Sequence, residues 1–469
     1  MKIILPILAL LFSISQSYAN VRKVGFTQQY KLPSQAAAAV SDGDTIEIDS
    51  AIYPKDACRW SKNNLLIRCS SGFAHLKSGG ICYGGKAIWV ISGNDCTVEG
   101  IEFSEASVVD QNGAGIRFEG TNLTVRRCFF HDNEDGILAG DNANSTILIE
   151  FSEFRKNGFG DGQSHNLYIN HIKQLIFRFN YSHLAKVGHN LKTRALSNYI
   201  YCNRLMDEDS GTSSYLIDMP NGGKCYVAGN VMHQGLLTEN KKLISYNFET
   251  PPNPEQKLYF INNTMVNDCQ SGPFLSIKPG ITTCIFKNNL IAGKGVPIDV
   301  PSDSSNNLIF LNPSNAGFVS INDYNYKLLK TSPAIDNGID PGIVDSIKLL
   351  PIYQYKNPND STARIIYNKV DISAYEYQPE QPVIEFSRES SNKKYYYNKQ
   401  TEELELTFND KSMNYSDYSI YDYSGNIKLK GKLQVCTESA KSVSLRGLSG
   451  LLIVQIAGIN NQSSFIIIK

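Results

Sequence analysis

His165-Asn166-Leu167-Tyr168-Ile169-Asn170 recurs 24 residues later as His189-Asn190-Leu191-Lys192-Thr193-Arg194, and a looser echo, Ser213-Ser214-Tyr215-Leu216-Ile217-Asp218, follows after the same interval. A fixed period in the low twenties, made of short strands and asparagine-rich turns, is the sequence form of a stacked β-solenoid. Stacking lays equivalent positions over one another, so residues distant in sequence form continuous strips. Side chains alternate along a strand. With Leu167, Ile169, Leu191, Thr193, Tyr215 and Ile217 turned inward, two outward columns result: Tyr168, Lys192, Leu216 and Asn170, Arg194, Asp218. Aligning earlier coils on Ile116 and Ile137 places Arg117 and Glu119 two coils below Tyr168 and Asn170. Asn166, Asn190 and Ser214 read as a third outward column. Asp135, His165, His189 and Ser213 precede the strand.

The same period shows in segments ending in asparagine. Phe177-Arg178-Phe179-Asn180, Ile200-Tyr201-Cys202-Asn203, Val227-Ala228-Gly229-Asn230, Phe260-Ile261-Asn262-Asn263 and Phe286-Lys287-Asn288-Asn289 share one form. Asparagine tolerates the left-handed conformation at a tight turn, and its amide can bond the coils above and below. A buried asparagine ladder is therefore expected, with eight to ten coils between about Asp42 and Val300.

Lys plus Arg and Asp plus Glu each number 45, so the formal net charge is zero. Bulk charge gives no reason to expect nucleic acid or an anionic membrane as a partner. At the N-terminus, Lys2, an apolar run from Ile3 to about Ile14, and Ser17-Tyr18-Ala19 read as a secretory signal peptide over residues 1–19. Secretion or display at the cell surface is expected, and no later run is long enough for a membrane span. Ten cysteines in an exported chain allow disulfides. Cys58 with Cys69 and Cys82 with Cys96 are candidate pairs, whereas Cys128, Cys202, Cys225 and Cys284 read as buried thiols.

Taken together, the segment from about residue 40 to 345 resembles the right-handed parallel β-helix superfamily, the pectate-lyase-like fold of secreted bacterial proteins. Tyr324-Asn325-Tyr326-Lys327-Leu328, Ser332-Pro333-Ala334-Ile335-Asp336-Asn337-Gly338 and Asp371-Ile372-Ser373-Ala374-Tyr375-Glu376-Tyr377 are similar to closing segments of bacterial members. The expected architecture is all-β: a solenoid with its closing segment over residues 20–380 and a small β-sandwich over 381–469. The latter is similar to sorting domains of the type IX secretion system, on Gly447-Leu448-Ser449-Gly450-Leu451-Leu452-Ile453-Val454 and Phe465-Ile466-Ile467-Ile468-Lys469. A terminal cap or a carbohydrate-binding module is the alternative for it.

Two chemistries are common on the resembled fold. Glycoside hydrolysis needs two carboxylates within about 9.5 Å. On the predicted strip only Asp218 and Glu119 are outward acids. They lie four coils apart, about 19 Å at ~4.8 Å per coil. Cleavage of a uronic-acid polysaccharide by β-elimination needs a cation for the substrate carboxylate and a base for the C5 proton. Arg194 suits the first role through its bidentate fork. Lys192, His189 or Tyr168 can serve as base or as acid, and Arg194 beside Lys192 favours the neutral amine by like-charge repulsion. His165 is a further catalytic candidate. His165 and His189 equally fit a stack of turn residues.

Arg117, Glu119, Asn166, Asn170, Asn190 and Asp218 are candidate substrate contacts, and Asp135 and Asp161 are candidate Ca²⁺ ligands among the acidic loops. The resemblance implies lysine and arginine in related roles, with Ca²⁺ in many pectate, alginate and chondroitin lyases. This chain departs from the chondroitinase B and alginate lyase pattern, since its pair lies on one strand. The expectation is a monomeric lyase acting on an acidic polysaccharide. A hydrolase, a C5-epimerase and a glycan-binding adhesin are the alternatives.

Overall fold

The computed structural model describes residues 20–379 and, beyond them, 393–398, 402–408, 415–422, 425–434, 441–448, 451–457 and 462–468. The expected leader, residues 1–19, lies outside the described residues, as do Cys436, Ser449 and Gly450. Three parallel sheets of ten, twelve and eleven strands enclose one core. Each coil gives a strand to the ten-stranded sheet, then to the twelve-stranded sheet, then to the eleven-stranded sheet. This is a parallel β-solenoid, as the 24-residue repeat predicts.

The interior is filled by like residues stacked on like. Trp60, Trp89, Phe103, Phe130, Phe154 and Phe177 form one buried column, with successive ring centroids 5.3, 5.0, 4.9, 4.8 and 6.3 Å apart. Ile116, Ile137, Leu167, Leu191, Ile217, Ile244 and Leu275 line the inner face of the ten-stranded sheet. At the turn from the twelve- to the eleven-stranded sheet runs the asparagine ladder. Asn180 donates from its backbone N and its Nδ2 to Asn203 Oδ1, at 3.0 and 3.2 Å. Asn203 does the same to Asn230, Asn230 to Asn263, and Asn263 to Asn289.

One detail differs from the sequence reading. The left-handed residue is the one before the ladder asparagine: Phe179, Cys202, Gly229, Asn262 and Asn288 all have positive φ, as does Phe151 one coil earlier, where Ser152 takes the asparagine's place and donates its N–H to Asn180 Oδ1. The asparagine itself is freed to turn its amide along the stack, which satisfies the backbone that the sharp turn would strand.

The nine described cysteines are all free. Neither expected disulfide forms, because the thiols are used locally: Cys69 donates to Ser71 O, and Cys96 to Lys62 O and Asn94 O. Cys128, Cys202, Cys225 and Cys284 are buried, and burial pushes each thiol up to about 12.

The chain falls into two compact units, one ending at Tyr377 and one beginning at Gln378. In the second, the described strands form a three-stranded and a four-stranded antiparallel sheet. Among the described residues no helix is long and apolar enough to cross a membrane.

Candidate active site

Strands Leu167–Ile169, His189–Thr193, Tyr215–Met219 and Ile244–Tyr246 are neighbours in the ten-stranded sheet. Their register sets Tyr168 beside Lys192, Lys192 beside Asp218, and Asp218 beside Ser245. Lys192 therefore meets Asp218, where a strict 24-residue step puts Leu216. Leu216 is in the core, and Tyr215 takes an outward place beside His189. Two additional residues are absorbed in the turn before Tyr215, and the carboxylate moves into the lysine's column.

Lys192 Nζ lies 3.6 Å from Asp218 Oδ2 and 3.7 Å from Glu249 Oε1. Arg194 Nη2 meets Glu249 Oε2 at 2.7 Å, its Nη1 donates to Asn221 Oδ1 at 2.6 Å, and its Nε donates to the Tyr168 hydroxyl at 2.9 Å. Both cations also sit over the Tyr168 ring, 5.6 and 5.7 Å from its centroid. Their side chains are 14% exposed, while that of Glu249 is 47% exposed. Glu249 is thus a half-solvated carboxylate clasped by two largely enclosed cations.

Glu249 and Asn221 are absent from the sequence-level prediction. Glu249 belongs to no strand and so escapes any periodic pattern. It is delivered by a loop docked on the preceding coil, through Asn247 N to Met219 O, Glu249 N to Pro220 O, and Asn221 Nδ2 to Pro251 O. The prolines in Thr250-Pro251-Pro252-Asn253-Pro254, right after a strand, are the sequence signal of a stiff connection over this face.

Asp218 is almost fully buried, and desolvation pushes its carboxyl up to about 6 against the favourable charge of Lys192 and the hydrogen bond from Ser245. The two carboxylates flanking Lys192 also replace the bare like-charge neighbour that the sequence suggested. His165 and His189 stack face to face, 4.6 Å apart and 10° from parallel, with Tyr215 tilted against His189 at 5.0 Å. The backbone N–H of His189 donates to His165 Nδ1, which leaves His165 its proton at Nε2. Burial and Lys192 lower His189 to about 3, and its Nε2 lies 3.5 Å from Asp218 Oδ2. The two imidazoles are neutral, buried supports for Asp218 rather than groups facing a ligand.

Asn166 and Asn190 point inward, contrary to the third outward column. Asn133, Asn157, Asn166 and Asn190 form a second buried amide chain, each Nδ2 donating to the next Oδ1. The chain ends at Asp207, which also accepts the Ser213 hydroxyl. These residues set the backbone beneath the site and touch no ligand from there. Ser213 accordingly leaves the histidine column.

Arg117 lies on the outward column, two coils from Tyr168 through Leu138. Glu119 is tied to Lys86 at 2.5 Å and lies 3.9 Å from Arg117. Asn170 accepts from the backbone N of His171 and contacts its ring.

The acidic loops do not form a Ca²⁺ cage. Asp135 Oδ1 accepts the N–H of His165, and Asp161 Oδ1 accepts the N–H of Gln163. Glu134 accepts from the Ser107 hydroxyl and from Val108 N and Gly113 N. Burial, with Glu134 and Asp161 nearby, holds the Asp135 carboxyl well above the carboxylate range. Such oxygens are spent on the fold.

No family model matches the sequence, and no curated protein matches it. A solved structure does. The chain is similar to one titled "Crystal structure of pectate lyase Pel9A", with a TM-score of 0.54 over 77% of this chain and 97% of that one, at 14% sequence identity. At that identity the likeness shows the fold alone: a parallel β-helix.

Proposed function

We propose that the protein is a polysaccharide lyase that cleaves a uronic-acid-containing glycan by β-elimination. The observation that carries this reading is the clasp on Glu249. Lys192 and Arg194 hold one half-exposed carboxylate between them, and a uronate carboxylate is the same group. In the proposed complex the substrate displaces Glu249 and takes the Arg194 fork. That pairing draws charge from the developing enolate-like centre. Lys192, after giving up its own proton to solvent, takes the C5 proton. The Tyr168 hydroxyl accepts from Arg194, so its own proton is free for the leaving glycosidic oxygen. Asp218 receives the charge of the protonated Lys192, and His189 holds Asp218 in place.

A second reading rests on Asp218 and Glu249. They lie 3.6 and 3.7 Å from Lys192 Nζ, so the two contacting oxygens are no further apart than about 7.3 Å, below the upper limit of about 9.5 Å for paired glycosidase carboxylates. One experiment separates the two. Purified protein is offered a panel of uronate polysaccharides while ultraviolet absorbance and new reducing ends are followed together. Elimination creates an unsaturated uronate that absorbs, and hydrolysis gives reducing ends without it. Absorbance lost in Lys192→Ala and Arg194→Ala supports the lyase; reducing ends alone, lost in Asp218→Asn, transfer the assignment to a hydrolase.

The reading also includes export as a monomer to the cell surface or medium, supported by the apolar run and small-residue site before Asn20. The unit from Gln378 would then serve as the sorting domain, supported by its antiparallel strands and their sequence likeness.

A further inference from the structure

The eleven-stranded sheet carries a cluster unrelated to the groove. Strands Ala74–Lys77, Ile101–Ser104 and Phe129–His131 are consecutive there. Their register puts His75 beside Glu102 and His131 beside Ser104, so three coils each send one side chain to one spot on the outer face. His131 Nε2 lies 3.0 Å and His75 Nδ1 3.5 Å from the same oxygen, Glu102 Oε1. All three atoms lie within 4.8 Å of one another, and among the described residues no other group of three His, Cys, Asp or Glu side chains converges in this way.

We propose that His75, Glu102 and His131 bind a divalent transition-metal cation of the Zn²⁺ class. Zn–N and Zn–O bonds of about 2.0–2.1 Å in a tetrahedron put neighbouring ligand atoms about 3.3 Å apart. Two edges here, 3.0 and 3.5 Å, bracket that value. The third closes with a small rotation of either ring, whose centroids are 5.9 Å apart. The outer nitrogens are also engaged as metal-bound histidines require. His131 Nδ1 meets Asp132 Oδ2 at 2.9 Å, and His75 Nε2 meets Ser104 Oγ at 2.7 Å. Both rings thus turn their remaining nitrogen inward.

The three side chains are 16–21% exposed, which leaves a fourth position for water. Two imidazoles and one carboxylate are a borderline-soft donor set, suited to Zn²⁺ or Co²⁺ and ill suited to Ca²⁺. Nearby cations have other partners. Lys77 pairs with Glu105, Lys186 lies 3.9 Å from Asp132, and Arg155 stacks on Phe129. His183, on the same sheet, makes the contrast. It lies between Glu153 and Glu208 with each nitrogen on a carboxylate, and no second imidazole joins it. A cation at His75, Glu102 and His131 would pin three successive coils.

The test uses the full chain without a histidine tag, stripped by chelator and titrated with Co²⁺, then with Zn²⁺ as competitor. One Co²⁺ per chain with the intense visible bands of a four-coordinate site is expected, displaced by Zn²⁺ and indifferent to Ca²⁺. His75→Gln and His131→Gln each abolish those bands while the circular dichroism is kept, and His183→Gln retains them. Asp132→Asn weakens Zn²⁺ binding roughly ten- to a hundredfold. Absence of the bands in the wild-type chain overturns the proposal, as does a spectrum that both variants leave intact. Should either variant unfold, the wild-type spectrum and Asp132→Asn decide.

Discussion

If Glu249 holds the place of a uronate carboxylate, as the proposed lyase reading has it, its removal should help binding and its neighbours' removal should not. A partly exposed ion pair contributes about 0.2–1 kcal/mol, and Glu249→Gln is expected to lower KM by up to roughly fivefold with kcat little changed. Lys192→Ala is expected to cut kcat by about 10²–10⁴, the range of a lost general base. Arg194→Lys should also fall, since an ammonium cannot reproduce the fork to a carboxylate. Asp218 makes a prediction of opposite sign for stability. Its carboxyl titrates near 6 when folded and at the ordinary carboxylate value when unfolded. Ionisation therefore costs the fold stability progressively as pH rises from about 4 to about 6, and the whole cost is present above that. Two pKa units correspond to about 3 kcal/mol, a figure that already contains the attraction of Lys192. Asp218→Asn should be more stable than the wild type by about 1–3 kcal/mol near pH 8, equal to it near pH 4, and slower in turnover, as chemical denaturation and rate assays at both pH values would show. Lys192 and Arg194 were legible because strand alternation alone exposes them. Asp218 was placed one column off because a fixed step cannot register two residues inserted in a turn, and Glu249, carried by a loop, obeys no period.

Each coil is held to the next by its turn as well as by its strands, and the asparagine ladder shows how. Asn203 Oδ1 accepts both N–H groups that Asn180 offers, and Asn203 Nδ2 returns to Phe177 O at 2.8 Å. Asn203→Leu keeps the volume and strands both donors in a dry turn. At about 1–3 kcal/mol for each orphaned group, a loss of about 2–5 kcal/mol is expected, read as a lower urea midpoint with an unchanged slope. The same change at exposed Asn315 should cost little. This ladder could be read from the sequence because it demands one residue type once per coil. The second amide chain could not. Its steps run 24 residues from Asn133 to Asn157, then 9 to Asn166, then 24 to Asn190. It crosses from the end of one coil to the start of the next, where strand alternation labels Asn166 and Asn190 as outward. The buried αL residues were equally hidden, since Phe179 and Cys202 carry no turn signal and are held there by the amide that follows.

A solenoid leaves the outer faces of its sheets to be covered as well as its two ends. Here the chain returns after the last coil: Asn262 Nδ2 donates to Asp371 O, Ala374 N donates to Thr264 Oγ1, and Asn359 Nδ2 donates to Phe151 O. Ala316, Phe318, Tyr326, Leu328, Ala334, Ile372 and Tyr375 share a cluster with Met206, Val231, Val266, Leu290 and Ala292. Arg364, fully buried, pairs with Glu376 at 2.5 Å and donates to Ala374 O and Ser373 O. Removing one member of such a pair leaves an uncompensated buried charge, at a cost of about 3–5 kcal/mol. The closing segment is therefore part of the folded solenoid, whereas the unit from Gln378 has its own sheets. A chain of residues 20–377 is expected to melt cooperatively and to keep whatever polysaccharide cleavage the full protein shows. A chain ending at residue 339 should aggregate, because it uncovers Asn262 and the Met206 cluster and discards Arg364 together with Glu376. Loss of cooperative melting in the longer fragment would assign the second unit a structural share in the solenoid. Full solubility of the shorter one would show that this outer face needs no cover.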